Sequence, residues 1–235
     1  MLILAFDSTA RAASVAVSDG ERVLAEYTVD NGLTQSELLL PMAESLLSSL
    51  KLSFSDIELA ASAVGPGSFT GVRIGAALVK GIAFGRNIPC VEVSTLEALA
   101  ENLSPLEGII LPAMDARRSQ IYNARFKSDG EKLTRLTPDR AISLEALADE
   151  LRGCEENIYI SGDGYELTRK YLEECGIKVA KAPSLLINEN AASVARVAYR
   201  KYLSGEFTTD ERLAPSYLRL PQAERERLEK QKKEK

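Results

Sequence analysis

The 235-residue sequence contains no histidine and no tryptophan. Histidine is the usual general base of hydrolases and the commonest nitrogen ligand of catalytic metals. Its absence excludes a Ser-His triad, a His-based acid–base mechanism and any metal site that needs imidazole. Chemistry in this chain would therefore use Asp, Glu, Lys, Tyr, Ser, Thr or a bound nucleotide.

The sequence also has few cysteines, no long apolar run and no excess of positive charge. The three cysteines are odd in number and scattered, at Cys90, Cys154 and Cys175, a pattern typical of reduced thiols. No apolar run approaches the ~18 residues that cross a bilayer, and no basic signal-peptide segment precedes Asp7. The net charge of −5 argues against a broad basic surface for nucleic acid. We therefore expect a cytoplasmic protein with no membrane association.

The sequence is centred on one glycine-rich stretch, residues 65–75, which reads GPGSFTGVRIG. An apolar run precedes it, and a helix of small residues is predicted over 70–85. A strand, a glycine turn and a helix N-terminus direct free backbone N–H groups at whatever lies above them. The stretch is not a P-loop, because no lysine follows, and not a dinucleotide fingerprint, because Thr70 occupies the third glycine position. A tight turn with a helix cap is an equally good interpretation.

Small residues recur at four-residue spacing along that helix, at Gly71 and Gly75 and again at Ala77, Gly81 and Gly85. Each interior glycine costs roughly 1 kcal/mol relative to alanine. The spacing therefore predicts that another backbone approaches this helix closely. The neighbour is either the chain's own sheet or another protein.

The two halves of the sequence repeat one element order. Each has three strands, a helix, a strand and a helix, and an aspartate ends the first strand, at Asp7 and at Asp115. The tetrapeptide Ser-Asp-Gly-Glu recurs at 18–21 and 128–131. Duplicated βββαβα halves of this kind describe the α/β fold of actin, hexokinase and Hsp70 (ASKHA), in which nucleotide phosphates bind between the halves.

The predicted division is an N-terminal half over 1–105, a C-terminal half over 106–220 and a charged tail over 221–235. In the second half, strands are predicted over 120–127 and 132–136, and the next predicted element is a helix over 143–151.

Several motifs together resemble the bacterial TsaB (YeaZ) family. The run 65–75 is specific; the others are weak singly but occur in the family's order, and the resemblance extends from residue 1 to about 219. The other motifs are FDST (6–9), VSTL (93–96), MDARR (114–118), GDG (162–164) and PSYLR (215–219).

The resemblance implies a role in forming N6-threonylcarbamoyladenosine, the modified base beside the anticodon of tRNAs that read codons beginning with A. In this family TsaB is regarded as a non-catalytic paralogue of the transferase TsaD, with which it pairs and which the ATPase TsaE joins. It is also a homodimer when alone, so tRNA would be met indirectly, through the complex. TsaD holds its metal on a His-x-x-x-His helix, whereas residues 33–37 here read LTQSE. We therefore expect a scaffold subunit without activity of its own and without a metal.

Two groups of site residues are predicted. Asp7, Ser8 and Thr9 would line a nucleotide site, with at most weak ATP or ADP binding because the hairpin at 9–13 lacks glycine; otherwise Asp7 is a turn residue bonded to the backbone. The partner and dimer surface is predicted on two first-half helices. Its residues are Leu39, Met42, Leu46, Gly71, Arg73, Ile74, Gly75, Ala77 and Leu78.

Other charged and aromatic residues have two interpretations each. Arg117 and Arg118 pair with Asp115 or Glu92, or else they face an acidic partner or tRNA phosphate. Tyr217 and Arg219 either dock on the body of the protein or touch a partner, and Arg73 is either an interface cation or solvated.

The alternative function is that of a stand-alone enzyme, either an ATP-dependent small-molecule kinase or a glycoprotease-like peptidase. The missing histidine disfavours the peptidase, and the glycine-free hairpin disfavours the kinase.

Overall fold

A computed structural model gives the structure of the protein and describes residues 1–117 and 119–219. Arg118 and the predicted charged tail over 221–235 lie outside these residues. None of the helices in the described ranges is long and apolar enough to cross a membrane.

The first half folds around a five-stranded sheet of order β3-β2-β1-β4-β5. The first three strands are antiparallel, and β4 and β5 extend the sheet in parallel. Helices α1 and α2 cover one face of this sheet. The elements are β1 (Leu2–Asp7), β2 (Ala13–Asp19), β3 (Arg22–Val29), α1 (Gln35–Ser49), β4 (Leu59–Ala63), α2 (Phe69–Ala83), β5 (Cys90–Val93) and α3 (Thr95–Asn102).

Local signals account for the start of α1 and for the hairpin that joins β2 to β3. A capping box begins α1, because Glu37 accepts hydrogen bonds from the Thr34 backbone N–H at 3.0 Å and from its hydroxyl at 2.7 Å. Gly20 adopts a φ of +59° in the Asp19-Gly20 turn between β2 and β3. Both features depend on neighbouring residues alone.

The second half builds a six-stranded sheet whose central strand is β6, with β11 parallel to it. Helices α4 and α5 cover one face. The elements are β6 (Gly108–Asp115), β7 (Gln120–Asn123), β8 (Phe126–Ser128), β9 (Leu133–Arg135), β10 (Arg140–Ser143), α4 (Leu144–Leu151), β11 (Ile158–Ser161), α5 (Tyr165–Glu174) and, after it, α6 (Ala191–Leu203).

The prediction of a single strand over 120–127 is wrong in one respect, because the structure divides this stretch into β7 and β8. Both strands pair with β6 in the same register, but the backbone of Arg125, which lies between them, forms its hydrogen bonds with residues 136 and 137. The Arg125 N–H donates to the Thr137 hydroxyl at 2.8 Å, and its carbonyl accepts from Leu136 at 2.7 Å. A side chain twelve residues away therefore interrupts the ladder.

Strand β10 was not predicted. It follows the sequence Thr137-Pro138-Asp139, which is typical of a turn, and it pairs antiparallel with β7. The four residues Arg140–Ser143 are too few for a clear alternating pattern, so their pairing depends on the presence of β7.

The two halves repeat the same sheet arrangement, in which the first strand lies between an antiparallel second strand and the parallel strand that follows the first helix of that half, β4 after α1 and β11 after α4. This confirms the duplicated α/β fold predicted from the sequence. The halves also exchange helices. Helix α3 packs against β6, and α6 returns to cover the face of the first sheet opposite α1 and α2. The predicted boundary at residue 105 stays a prediction, because the chain crosses between the halves again before α6.

The glycines of α2 allow the helix to approach the chain's own first sheet. A Cβ atom at Gly71 would overlap the backbone carbonyl of Ser8, and one at Gly75 would lie 2.7 Å from the hydroxyl oxygens of Ser8 and Ser62. The prediction that these two glycines contact a partner is therefore wrong, since they face inward. The same correction applies to three buried residues of α1 that were predicted on the partner surface, Leu39, Met42 and Leu46, because they belong to the first core.

We expect Gly71→Ala to lower the free energy of unfolding by about 2–4 kcal/mol, because the added methyl group meets backbone that cannot move aside. Gly81→Ala on the same helix is the matched control. Gly81 is exposed with nothing within 4 Å of its Cβ position, so alanine should stabilise by up to about 1 kcal/mol. Urea unfolding followed by circular dichroism measures both. Equal effects of the two substitutions would contradict the inward role of Gly71.

Candidate functional site

The two halves enclose a cleft of about 650 Å³. It opens beyond the carboxyl end of β1, close to the N-terminus of α2, where open α/β sheets commonly bind ligands. Its first wall is formed by Thr9–Arg11, Gln35, Pro66–Thr70 and Val72, its second wall by Met114–Arg117, Tyr122 and Asp163, and residues 216–219 complete it.

Two of the three predicted nucleotide-binding residues do not line this cleft. Asp7 is 2% exposed, and its Oδ1 accepts hydrogen bonds from the Thr9 N–H at 2.9 Å and the Thr9 hydroxyl at 2.7 Å. Ser8 is fully buried and donates its hydroxyl to the Gly71 carbonyl at 2.8 Å. The prediction that Asp7 and Ser8 line a ligand site is therefore wrong in this conformation, and the turn interpretation of Asp7 is correct. Thr9 does line the cleft.

The glycine turn secures the first wall of the cleft. The Ser68 N–H donates to the Thr9 carbonyl at 2.6 Å, and the Ser68 hydroxyl caps α2 by accepting from the Gly71 N–H at 3.2 Å. Gly67 leaves room for Thr9, whose Cβ would be 2.9 Å from a Cβ atom at that position. These bonds occupy groups that a phosphate would need. The residues present therefore do not fit a nucleotide held by Asp7 and Ser8.

The second wall carries two carboxylates. The Asp163 side chain accepts from the Asp115 N–H at 2.9 Å, and the Asp115 side chain accepts from the Arg117 N–H at 2.7 Å. Partial burial raises the pKa of Asp163, and the negative charge of Asp115 adds to the shift, whereas backbone hydrogen bonds from Asp115 and Gly164 oppose it. Both carboxylates thus orient the turn that ends β6. Glu92, a predicted partner of the arginines, instead accepts from the backbone of Ala214 at 2.7 Å.

Sequence reasoning missed Glu189, which lies beneath the cleft and is 7% exposed. Burial raises the pKa of its carboxyl group to about 8, and the negative charges of Asp7 and Asp163 contribute to the same shift. Burial also raises the pKa of Asp7 to about 6, although the hydrogen bonds from Thr9 oppose this change. No sequence pattern marks Glu189, because its burial results from the way residues 187–190 pass between the halves.

One oxygen of each of these two carboxyl groups, Asp7 Oδ2 and Glu189 Oε1, has no hydrogen-bond partner in the described part of the chain. A buried oxygen without a donor favours the neutral, protonated form. Across residues 1–117 and 119–219, no three Asp, Glu or Cys side chains are grouped so that they could hold a metal ion. The arrangement supports a proton-bearing acid cluster beneath the cleft.

The acid cluster predicts how stability depends on pH. Both carboxyl groups bind protons more readily in the folded than in the unfolded chain, so the folded state holds more protons between about pH 4 and about pH 8. The contribution of these two groups to stability should therefore fall as pH rises through this interval. We expect Asp7→Asn and Glu189→Gln each to raise the free energy of unfolding at pH 8 by about 1–3 kcal/mol, with little effect near pH 4.

Asp129→Asn is the control for that experiment. Hydrogen bonds from the Lys132 and Glu131 backbone lower the pKa of Asp129, so its removal should be neutral or destabilising at pH 8. Denaturant titrations at pH 4, 6 and 8 measure all three variants. A wild-type stability that rises towards pH 8, with Glu189→Gln unchanged, would contradict the protonated cluster.

Comparison with known proteins gives the family. The family model described as "TsaD: tRNA N6-adenosine threonylcarbamoyltransferase" matches residues 34–227. A Bacillus subtilis protein named "tRNA threonylcarbamoyladenosine biosynthesis protein TsaB" is 31% identical, and the match covers 99% of this chain and 100% of the relative. The Escherichia coli protein of the same name is 29% identical over 93% of this chain and 95% of its own.

A solved structure agrees with these sequence relatives. YeaZ from Pseudomonas aeruginosa is 26% identical, with a TM-score of 0.76 over 92% of this chain and 99% of that chain. The resemblance predicted from the motifs is therefore confirmed. Because a TsaB relative at 31% identity matches almost the whole length and a YeaZ structure shares the fold, the chain belongs to the TsaB (YeaZ) family.

Proposed function

We propose that this chain is a non-catalytic subunit of the machinery that forms N6-threonylcarbamoyladenosine in tRNA. The names of its relatives refer to this biosynthesis, and they support a role of the chain in the same process. The observation that carries the non-catalytic role is the burial of Asp7 and Ser8 under the glycine turn, in a chain without histidine. In the proposal the chain acts with a TsaD-type transferase and a TsaE-type ATPase, and tRNA is bound through the complex.

The outward face of α2 is the proposed partner and dimer surface. Arg73 and Ala77 are exposed on it, and Ile74 and Leu78 are half-buried. Of the residues predicted on the partner surface, these four are the ones that the structure leaves at least partly exposed. Gly81 continues the same face with a second small residue, so a partner helix can lie close to this surface. Such a surface suits an isologous pair of helices in a homodimer and, equally, a paralogous partner of the same fold.

We expect Ala77→Arg to leave the fold intact, because the site is exposed, but to turn the dimer into a monomer. A bulky charged side chain in the centre of a helix pair cannot be accommodated, so affinity for a TsaD-type partner should fall at least roughly tenfold. Light scattering after gel filtration and calorimetry with the partner measure the two effects. Ala146→Arg, at an exposed alanine of α4 in the second half, is the matched control. Retained dimerisation and partner binding in Ala77→Arg would exclude this surface.

We also expect the purified chain to show no threonylcarbamoyl transfer, no peptidase activity and no ATP hydrolysis above background. ATP hydrolysis and modified-base formation should appear only after TsaD-type and TsaE-type partners are added. The alternative, a stand-alone kinase, would be supported instead by robust ATP turnover of the chain alone that is lost in Asp7→Ala.

A further inference from the structure

The chain returns to the cleft after α6 along a path bound to the first half. Thr208 exchanges two backbone hydrogen bonds with Cys90, at 2.9 and 2.8 Å, at the edge of the first sheet. Leu213 is then 1% exposed within the first core. We refer to residues 213–219 as the latch segment.

The first glycine of the central turn makes room for the latch segment. The Ser216 N–H donates to the Val64 carbonyl at 2.7 Å. A Cβ atom at Gly65 would lie 2.5 Å from the Ser216 carbonyl oxygen, and Gly65 adopts a φ of +116°. Glycine is thus required here by the approach of residue 216, which is distant in sequence. Up to this point the latch segment is an integral part of the first half.

Tyr217 then fastens the latch segment to the start of α2. Its hydroxyl accepts from the Arg73 Nε–H at 2.7 Å, and its ring stacks on Phe69 with centroids 4.8 Å apart. The Arg73 guanidinium carbon lies 3.8 Å from the Phe69 ring centroid. Arg73 therefore has a defined partner in the chain itself and is not simply solvated.

Arg219 fastens the same segment to the opposite wall. Its Nη1 donates to the Ala116 carbonyl at 3.0 Å, its Nη2 donates to Gln120 Oε1, and its guanidinium lies 5.4 Å from the Tyr122 ring centroid. All three partners belong to β7 or to the turn that joins it to β6. Tyr217 and Arg219 are two residues apart in sequence, and they contact opposite walls of the cleft.

We propose that the latch segment holds the two halves together over the cleft and that Arg219 is its releasable end. Residues 213–216 are bound by backbone hydrogen bonds and core packing, whereas Arg219 is half-buried. Within the described part of the chain, the groups that hold its guanidinium are uncharged: a carbonyl, an amide and an aromatic ring. Hydrogen bonds of a cation to neutral acceptors are weaker than those to carboxylates. Release of Arg219 frees the second wall while the fold of the first half is kept.

Hydrogen exchange of the full chain, followed by mass spectrometry, tests the latch. We expect Arg219→Ala to accelerate exchange about three- to tenfold in peptides that span Phe69 and in peptides that span Asp115, one on each wall. Peptides of β1 should exchange as in the wild type. Arg212→Ala is the matched control, because Arg212 is exposed and forms no side-chain hydrogen bond with the described residues.

Unchanged exchange at both walls in Arg219→Ala, or faster exchange confined to residues 213–219, would overturn the proposal. If Arg219→Ala instead exchanges faster throughout the chain, Tyr217→Phe decides, since it removes one hydroxyl and keeps the ring stack. Faster exchange at the two walls in Tyr217→Phe supports the latch, and exchange equal to that of Arg212→Ala rejects it.

Discussion

The close contact between helix α2 and the turn after β1 is the constraint on which the rest of this structure depends. Ser8 donates to Gly71 and Ser68 donates to Thr9, so that loop and helix share hydrogen bonds over a distance that excludes side chains at Gly71 and Gly75. This contact buries Asp7 and Ser8 and sets the first wall of the cleft. It also determines the positions of Phe69, which lines the cleft, and of Arg73, and both residues contact Tyr217.

One helix consequently serves three purposes on different faces. Its inner face, with Gly71 and Gly75, packs on the sheet, and its first turn holds Tyr217 through Phe69 and Arg73. Its outer face, with Ala77, is the proposed partner surface. Because Arg73 borders both the latch segment and that outer face, events at a partner surface and at the cleft would act on the same side chain.

The buried acids show what distinguishes this cleft from a phosphate site. A carboxylate that binds a cation or a phosphate-bound metal must reach the cleft ionised, whereas Asp7 and Glu189 lie beneath it with raised pKa values and unpartnered oxygens. Ionising these two carboxyl groups therefore costs free energy in the folded state and lowers the free energy of unfolding. The non-catalytic role proposed above is compatible with this cost, because it requires no charged aspartate at a reacting centre.

The sequence by itself determined those features that depend on near neighbours or on composition. The capping box at Thr34 and Glu37 and the Asp19-Gly20 hairpin follow from local chemistry. The repeated element order predicted the duplicated fold, and the missing histidine excluded whole classes of mechanism. These conclusions needed no knowledge of which distant segments meet.

The tertiary structure alone decided which side of a pattern faces inward. Four-residue glycine spacing fits a sheet or a partner equally well, and the contact with Ser8 and Ser62 resolved it for Gly71 and Gly75. The environment of Glu189, the interruption of the strand at Arg125 and the docking of Tyr217 and Arg219 depend on residues 12 to 182 positions away. Contacts at such separations are made by the folded chain as a whole, so no local sequence window contains them.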